Sequence, residues 1–282
     1  AQQRYAAAPV GVTVTSHDKG PLLGRQVRGS ETYDPGLLFP VPRDTARESL
    51  PMGRFEAFGE DVWHAYELSW LTPSGMPRMY LGTLRVPATS ANIVESKSIK
   101  LYLNSLNNHC FVDADEARRT IEDDISTVAG GPVRLEMHDV DAGEFAGAAL
   151  DAECLDALDV AVPGQPDPTL LRRAGAAGVR LCTHLMRSRC PVTDQPDWAT
   201  VVIETRGTAP ERAGLLSYLL AYRNHQEFHE QCVERIYTDL HTQLRPAFLS
   251  VQALYTRRGG LDICPWRCSE DRPAPLLRMN RQ

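Results

Sequence analysis

The sequence predicts an α+β fold made of two related units. Three observations point there. The same order, a strand pair, helices and a further strand, occurs once before mid-chain and once after it. An acidic, proline-broken segment separates the two runs. The chain has 282 residues, 43% apolar and 23% charged, a globular composition with length for one large domain or two of about half that size.

Residues 1–60 are rich in Pro, Gly and polar residues and read as an arm and loops. Residues 63–71 and 79–86 read as strands, with Thr72-Pro73-Ser74-Gly75-Met76-Pro77 as the hairpin punctuation between them. Residues 92–107 place Ile99, Leu103 and Leu106 at helical spacing. Asp113-Ala114-Asp115-Glu116 reads as a capping box for a helix over 115–129, which Gly130-Gly131-Pro132 ends. Residues 133–140 then alternate as a strand. From Leu135 to Leu171 there is no Lys or Arg, but Asp and Glu recur, with Pro163, Pro166 and Pro168 among them. That composition predicts a linker. Beyond it, 179–189 and 198–205 are extended and 210–223 is helical. Asn224 with Glu227 reads as a second capping box, opening a helix with Phe228, Cys232, Ile236 and Leu240 on one face. Residues 248–255 form a strand closed by Arg257-Arg258-Gly259-Gly260. The expected organisation is a first unit over 1–150 with its N-terminal arm, a linker over 151–177 and a second unit over 178–282. The halves share pattern and no obvious residue identity.

The formal net charge of −6 excludes a bulk nucleic-acid binder, which needs an excess of Lys and Arg. No uncharged apolar stretch is long enough to span a bilayer, and the first residues lack a signal-peptide core. A soluble, cytoplasmic protein with no membrane partner is the expectation. Seven scattered cysteines suit reduced thiols better than a disulfide framework. Of 30 basic residues only Lys19, Lys97 and Lys100 are lysines, and two of them fall within Glu95-Ser96-Lys97-Ser98-Ile99-Lys100. Keeping Lys against so strong a preference for Arg suggests a position that wants a compact ammonium; chance clustering is the alternative.

Neither G-x-G-x-x-G nor G-x-x-x-x-G-K-[ST] occurs. Cys264 and Cys268 have no second pair nearby, and His225 and His229 lack the H-E-x-x-H pattern. No metal site is expected. The run from Cys190 to Trp198 differs. A thiol and the Asp197 carboxylate lie seven apart across a loop with two prolines, which can fold back and bring them together for proton exchange. Arg187 and Arg189 favour a thiolate by their charge. On composition alone a buried cysteine and a turn aspartate explain the run as well. Glu230 can accept two parallel hydrogen bonds from a guanine-like edge, or form ion pairs on a solvated helix face. Arg257, Arg258, Gly259 and Gly260 allow close approach of a phosphate, or form a solvated turn.

Taken together these segments resemble the 7-cyano-7-deazaguanine reductases, the nitrile reductases of queuosine synthesis. Glu95 through Tyr102, Cys190 through Trp198, Phe228 through Ile236 and Tyr255 through Asp262 match the family's motifs in order, and Glu67-Leu68-Ser69-Trp70-Leu71 fits as well. Pro191, Ala199, Cys264 and Cys268 depart from the pattern. The resemblance implies two tandem tunnelling-fold (T-fold) domains with antiparallel sheets and helices on one face, assembled as a homodimer. It implies reduction of a small-molecule nitrile, 7-cyano-7-deazaguanine, by NADPH, with Cys190 as the nucleophile of a covalent thioimide and Asp197 as the proton donor. Val94, Glu95, Ser96, His229 and Glu230 would hold the substrate; Ser96, Lys97, Arg258 and Gly259 would contact NADPH. The nearer alternative is a T-fold amidinotransferase acting on the same nitrile without NADPH, which the retained Ser96-Lys97 and Arg258-Gly259 oppose. The farther is a non-covalent T-fold binding protein for purines or pterins.

Overall fold

The structure, a computed structural model, describes residues 32–50 and 57–282. Of the expected arm, residues 1–31 and 51–56 lie outside the described residues. The rest of that stretch is more ordered than its weak periodicity suggests. It holds a short strand β1 (Pro40–Pro42), one helical turn α1 (Arg43–Arg47) and the start of β2 (Phe58–Leu71). Elements this short have no period to read.

The first unit follows the predicted order. β2 pairs antiparallel with β3 (Pro77–Pro87) across the proline-bounded turn, and one extra residue of β2 is accommodated between Ala65 and Leu68. Residues 92–94, expected as helix, form β4 (Asn92–Val94), which pairs with β1. Helix α2 (Ser96–Ser105) begins only after Glu95, whose carboxylate accepts from the amides of Lys97 and Ser98 and so ends the extended segment. Helix α3 (Ala114–Ala129) starts at the predicted cap, Asp113, and ends on Gly130 in the left-handed region. β5 (Arg134–His138) returns beside β3.

The predicted linker is stitched to the second unit. β6 (Glu153–Cys154) pairs parallel with β8 (Val179–Arg189), and β7 (Arg173–Gly175) pairs with β10 (Ala209–Pro210). β8 and β9 (Pro196–Arg206) form the second hairpin, again with one extra residue in the first strand, between Thr183 and Met186. The helix expected over 210–223 is α4 (Arg212–Leu220) followed by a 3-10 turn over Ala221–Asn224. Asn224 does not cap the next helix. Helix α5 (His229–Leu244) starts after Phe228, whose amide donates to the Gln231 side chain at 3.1 Å. β11 (Phe248–Tyr255) lies beside β9 as expected.

The last strand, β12 (Leu261–Cys268), was not expected, and it joins the halves. It pairs with β11 on one side and with β2 on the other, giving a single eight-stranded sheet in the order β5-β3-β2-β12-β11-β9-β8-β6. Pro265 argues against a central strand from sequence, because it cannot donate to a ladder. The register shows how it is tolerated. β12 pairs with β2 along its whole length, whereas its pairing with β11 covers only Trp266, Arg267 and Cys268. The β11 ladder stops next to Pro265, and the two strands part over Leu261–Pro265.

Helices α2 to α5 cover one face of the sheet over two apolar cores. One holds Trp63, Ile99, Ile121 and Ile263, the other Val201, Leu219, Ile236 and Val251. Trp266, Cys264 and Val62 point to the opposite face, packed by Ala274, Leu277 and Met279 of the C-terminal segment. At the seam a buried charge cluster holds α1, β2, α5 and β12 together. Arg267 contacts Asp61 and Glu234 at 2.8 Å each, Arg43 contacts Asp61 at 2.5 Å, and Arg47 contacts Glu234 at 2.7 Å. Burial alone would raise both carboxyls. The guanidinium of Arg267, with Arg43 beside Asp61 and Arg47 beside Glu234, outweighs it and holds both below the ordinary range.

Arg267→Met should strand two buried carboxylates and cost about 3–5 kcal/mol of unfolding free energy. Urea denaturation measures it. Because both carboxyls are depressed in the folded state, the cluster's contribution is present above the ordinary carboxylate range and lost as pH falls below it. The gap between wild type and variant should therefore shrink in acid.

Candidate active site

Where β11 and β12 part, the sheet opens into a cavity of about 400 Å3. Trp63 of β2, Tyr255 of β11 and Leu261 and Ile263 of β12 form its walls. All four sequence motifs reach it. Ser96, Lys97 and Lys100 come from the first turns of α2, and His229 from the first residue of α5. Cys190, Gln195 and Asp197 come from the β8–β9 connection, and Arg258 and Gly259 from the turn before β12. Two helix N-termini thus border the cavity alongside Lys97, Lys100 and Arg258, a field suited to anions.

The β8–β9 connection folds back as the spacing predicts. The Cys190 amide donates to the Gln195 carbonyl at 2.9 Å, and the Asp194 amide to the Cys190 carbonyl at 3.0 Å. Asp194 takes a left-handed conformation with φ 58, a short polar side chain at a position costly for most others. Its carboxylate is held by Arg189 and by Gln226 Nε2, the latter at 2.6 Å. The turn leaves Cys190 half-buried at the cavity and Asp197 only 5% exposed. Asp197 lies between Arg258 Nη1 at 3.1 Å and His229 Nε2 at 3.7 Å. The His229 ring stands edge-on to Tyr255, with centroids 4.0 Å apart.

The Arg258–Leu261 pair closes a two-residue turn through Gly259 and Gly260, with φ 58 and 79. Both central positions need positive φ in such a turn. A Cβ on Gly259 would lie 2.1 Å from Lys100 Nζ, so the glycine also makes room for the lysine.

The other expected substrate residues sit behind the cavity wall. Val94 is buried in the core beside α2, and Glu95 is fully buried with both oxygens engaged by backbone amides. Burial pushes the Glu95 carboxyl up, and those amides offset it only in part. Glu230 is 2% exposed on α5, one turn before Glu234 of the charge cluster. Burial, reinforced by the Asp61 carboxylate, pushes Glu230 up to about 7 against the pull of His229 and Arg43. Lys100, Trp63, Tyr255 and Gln195 were not singled out as site residues. Lys100 carried a signal, as one of three lysines in the chain; the aromatic walls carried none, because the wedge that exposes them depends on β12.

Residues 30–137 match the family model described as nitrile reductase, 7-cyano-7-deazaguanine-reductase N-term, and residues 196–274 match that described as QueF-like protein. The NADPH-dependent 7-cyano-7-deazaguanine reductase of Bordetella pertussis is 48% identical over 266 residues, covering 92% of this chain and 97% of that protein. This chain belongs to the 7-cyano-7-deazaguanine reductase family. The reductase of the same name from Stenotrophomonas maltophilia is 46% identical over 261 residues, 90% of this chain and 94% of that protein. Among solved structures, the archaeosine synthase QueF-Like in its apo form matches 36% of this chain and 100% of its own, at 20% identity and a TM-score of 0.32.

Glu230 yields a test of the site's electrostatics that needs no ligand. Its folded pKa lies above the unfolded value, so the stability it contributes is present in acid and is lost as pH rises through about 7. Glu230→Gln removes that loss. Between about pH 5 and about pH 8 the variant should gain on the order of 3 kcal/mol relative to wild type. Melting curves at both pH values measure it, and parallel curves would place Glu230 in ordinary solvent.

Proposed function

We propose that this chain reduces the nitrile of 7-cyano-7-deazaguanine to the amine of 7-aminomethyl-7-deazaguanine, in the queuosine pathway, with Cys190 and Asp197 as the reacting side chains. The observation that carries the assignment is that a half-buried thiol and a buried carboxylate share one cavity with Lys97 and Arg258. A nitrile carbon accepts hydride poorly until its triple bond is polarised. The Cys190 thiol gives its proton to the Asp197 carboxylate as its sulfur adds to that carbon, and Asp197 passes the proton to the nitrogen, which gives a thioimide carbon that accepts hydride readily. After the first hydride, with a proton from water to the nitrogen, the sulfur leaves as thiolate; the resulting protonated imine takes the second hydride to give the amine, and the thiolate regains a proton from water.

NADPH supplies both hydrides. The cations at the cavity suit it: Lys97, Lys100 and Arg258 are the groups a phosphorylated dinucleotide needs. Ser96, Lys97, Arg258 and Gly259 are its proposed contacts. Arg258 also pairs with Asp197, so the same guanidinium that would hold a cofactor phosphate orients the carboxylate. For the substrate, Ser96 and His229 are the proposed contacts at the cavity surface, with Val94, Glu95 and Glu230 reading the purine edge from behind it. We propose units over 1–150 and 178–282 joined by 151–177, a joining segment that packs Leu155 and Leu171 into the second core, and a cytoplasmic homodimer. No helix among the described residues is long and apolar enough to cross a membrane.

Loss of NADPH absorbance on adding the nitrile tests the activity, and an amidinotransferase would show none. Intact-mass measurement with the nitrile alone should reveal an adduct in wild type and none in Cys190→Ala. Asp197→Asn should keep substrate binding and lose roughly 10²–10⁴-fold in kcat. An adduct on Cys190→Ala, or Asp197→Asn turnover within a few-fold of wild type, removes those roles.

A further inference from the structure

At the far edge of the sheet, away from the cavity, three soft or borderline ligand atoms come together. Cys154 of β6 stands in direct register with Cys182 of β8. The Leu155 amide donates to the Cys182 carbonyl at 2.9 Å, and Leu155 is buried in the second core, so the register is anchored on both sides. The extra residue of β8 between Thr183 and Met186 places His184 and Leu185 together opposite Thr200, and such bulges re-aim side chains. The ligand atoms of Cys154, Cys182 and His184 all lie within 4.8 Å of one another. None of the three residues lines the active cavity.

We propose that Cys154, Cys182 and His184 form a binding site for a zinc-class divalent cation, with water in the fourth position. Thiolates at about 2.3 Å and an imidazole at about 2.0 Å from tetrahedral zinc stand some 3.5–4 Å apart, within the separation seen here. Two thiolates and one imidazole select zinc over magnesium or calcium. The supporting residues fit as well. His184 Nδ1 is hydrogen-bonded to Thr200 Oγ1 at 3.0 Å, which fixes the ring and leaves Nε2 for the ion. Asp156 accepts from the Thr183 hydroxyl at 2.6 Å and from the His184 amide at 3.1 Å, holding the bulge in shape and adding negative charge nearby. Cys154 is exposed and gives the ion a way in, while Cys182 is buried. On binding, both thiols release their protons to solvent and no electron moves. Sequence spacing does not point to this group, because Cys154 and Cys182 are joined by a parallel strand pair that no short spacing motif reports.

The test is Zn(II) titration of the full-length, reduced and metal-stripped chain by equilibrium dialysis with elemental analysis. Wild type should bind one zinc per chain. Cys190→Ala should bind the same, which separates this site from the active cysteine. Cys154→Ser, at an exposed position where folding is not at risk, should lose the bound zinc and keep nitrile-dependent NADPH oxidation. Thr200→Val should weaken zinc binding about tenfold. Cobalt(II) should give a thiolate charge-transfer band in wild type that is missing from Cys154→Ser. The proposal is overturned if reduced wild type binds no zinc, or if Cys154→Ser retains a full equivalent. Retention would point to the buried His64, Asp262 and Cys264 group instead. Recovery of only a Cys154–Cys182 disulfide, with no zinc taken up after reduction, also overturns it.

Discussion

The buried charge cluster at the seam is the constraint on which the rest of the architecture rests. Arg267 enters from β12, Asp61 from β2, Glu234 from α5 and Arg43 from α1, all buried, with Arg47 of α1 at the edge of the cluster. Each charge there is affordable only while its partners stay in place. The cluster therefore fixes how the last strand meets the first hairpin and how α5 crosses both. Just beyond it Pro265 ends the β11–β12 ladder, and the strands separate into the cavity. A clamp at one end and a proline at the other convert a continuous sheet into a sheet with a wedge. Glu230 sits between clamp and wedge on α5, which is why it feels Asp61 and Arg43 from one side and His229 from the other.

The two halves repeat a construction and then put it to different uses. Each opens with a hairpin whose first strand carries one extra residue. In each, a glutamate then caps the next helix through two backbone amides: Glu95 for α2, and Glu211 for α4 through Ala213 and Gly214. The first unit brings Lys97 and Lys100 to the cavity from α2. The second brings Cys190 and Asp197 from its hairpin loop and His229 from α5. Neither half holds the complete set, so the chemistry depends on the strand that joins them.

What could be read from sequence was what local physics dictates. The hairpins, the Asp113 cap, the Gly130 stop and the fold-back of the Cys190–Asp197 loop follow from turn residues and periodicity acting over a few positions. The starts of α2 and α5 were misplaced for the same reason in reverse. The helical spacing over 92–107 and the Asn224 cap are local signals, but tertiary pairing draws residues 92–94 into β4 and leaves Asn224 in a 3-10 turn. β12 was missed because Pro265 speaks against a central strand, and only the register reveals that its missing donor falls where one ladder ends. With β12 unseen, the aromatic and aliphatic walls of the cavity had no reason to be grouped, and the linker's pairing with β8 stayed hidden in a two-residue strand.

The central claim is that the wedge between β11 and β12 is where the nitrile is held and reduced. A crystal structure of Cys190→Ala with 7-cyano-7-deazaguanine tests it most directly. The account predicts the deazapurine ring between Tyr255 and Ile263, its nitrile carbon about 3–3.5 Å from where the sulfur of residue 190 would stand, and its amine edge turned toward Glu230. A ring bound outside the wedge, or inside it with the nitrile directed away from residue 190, would contradict the account.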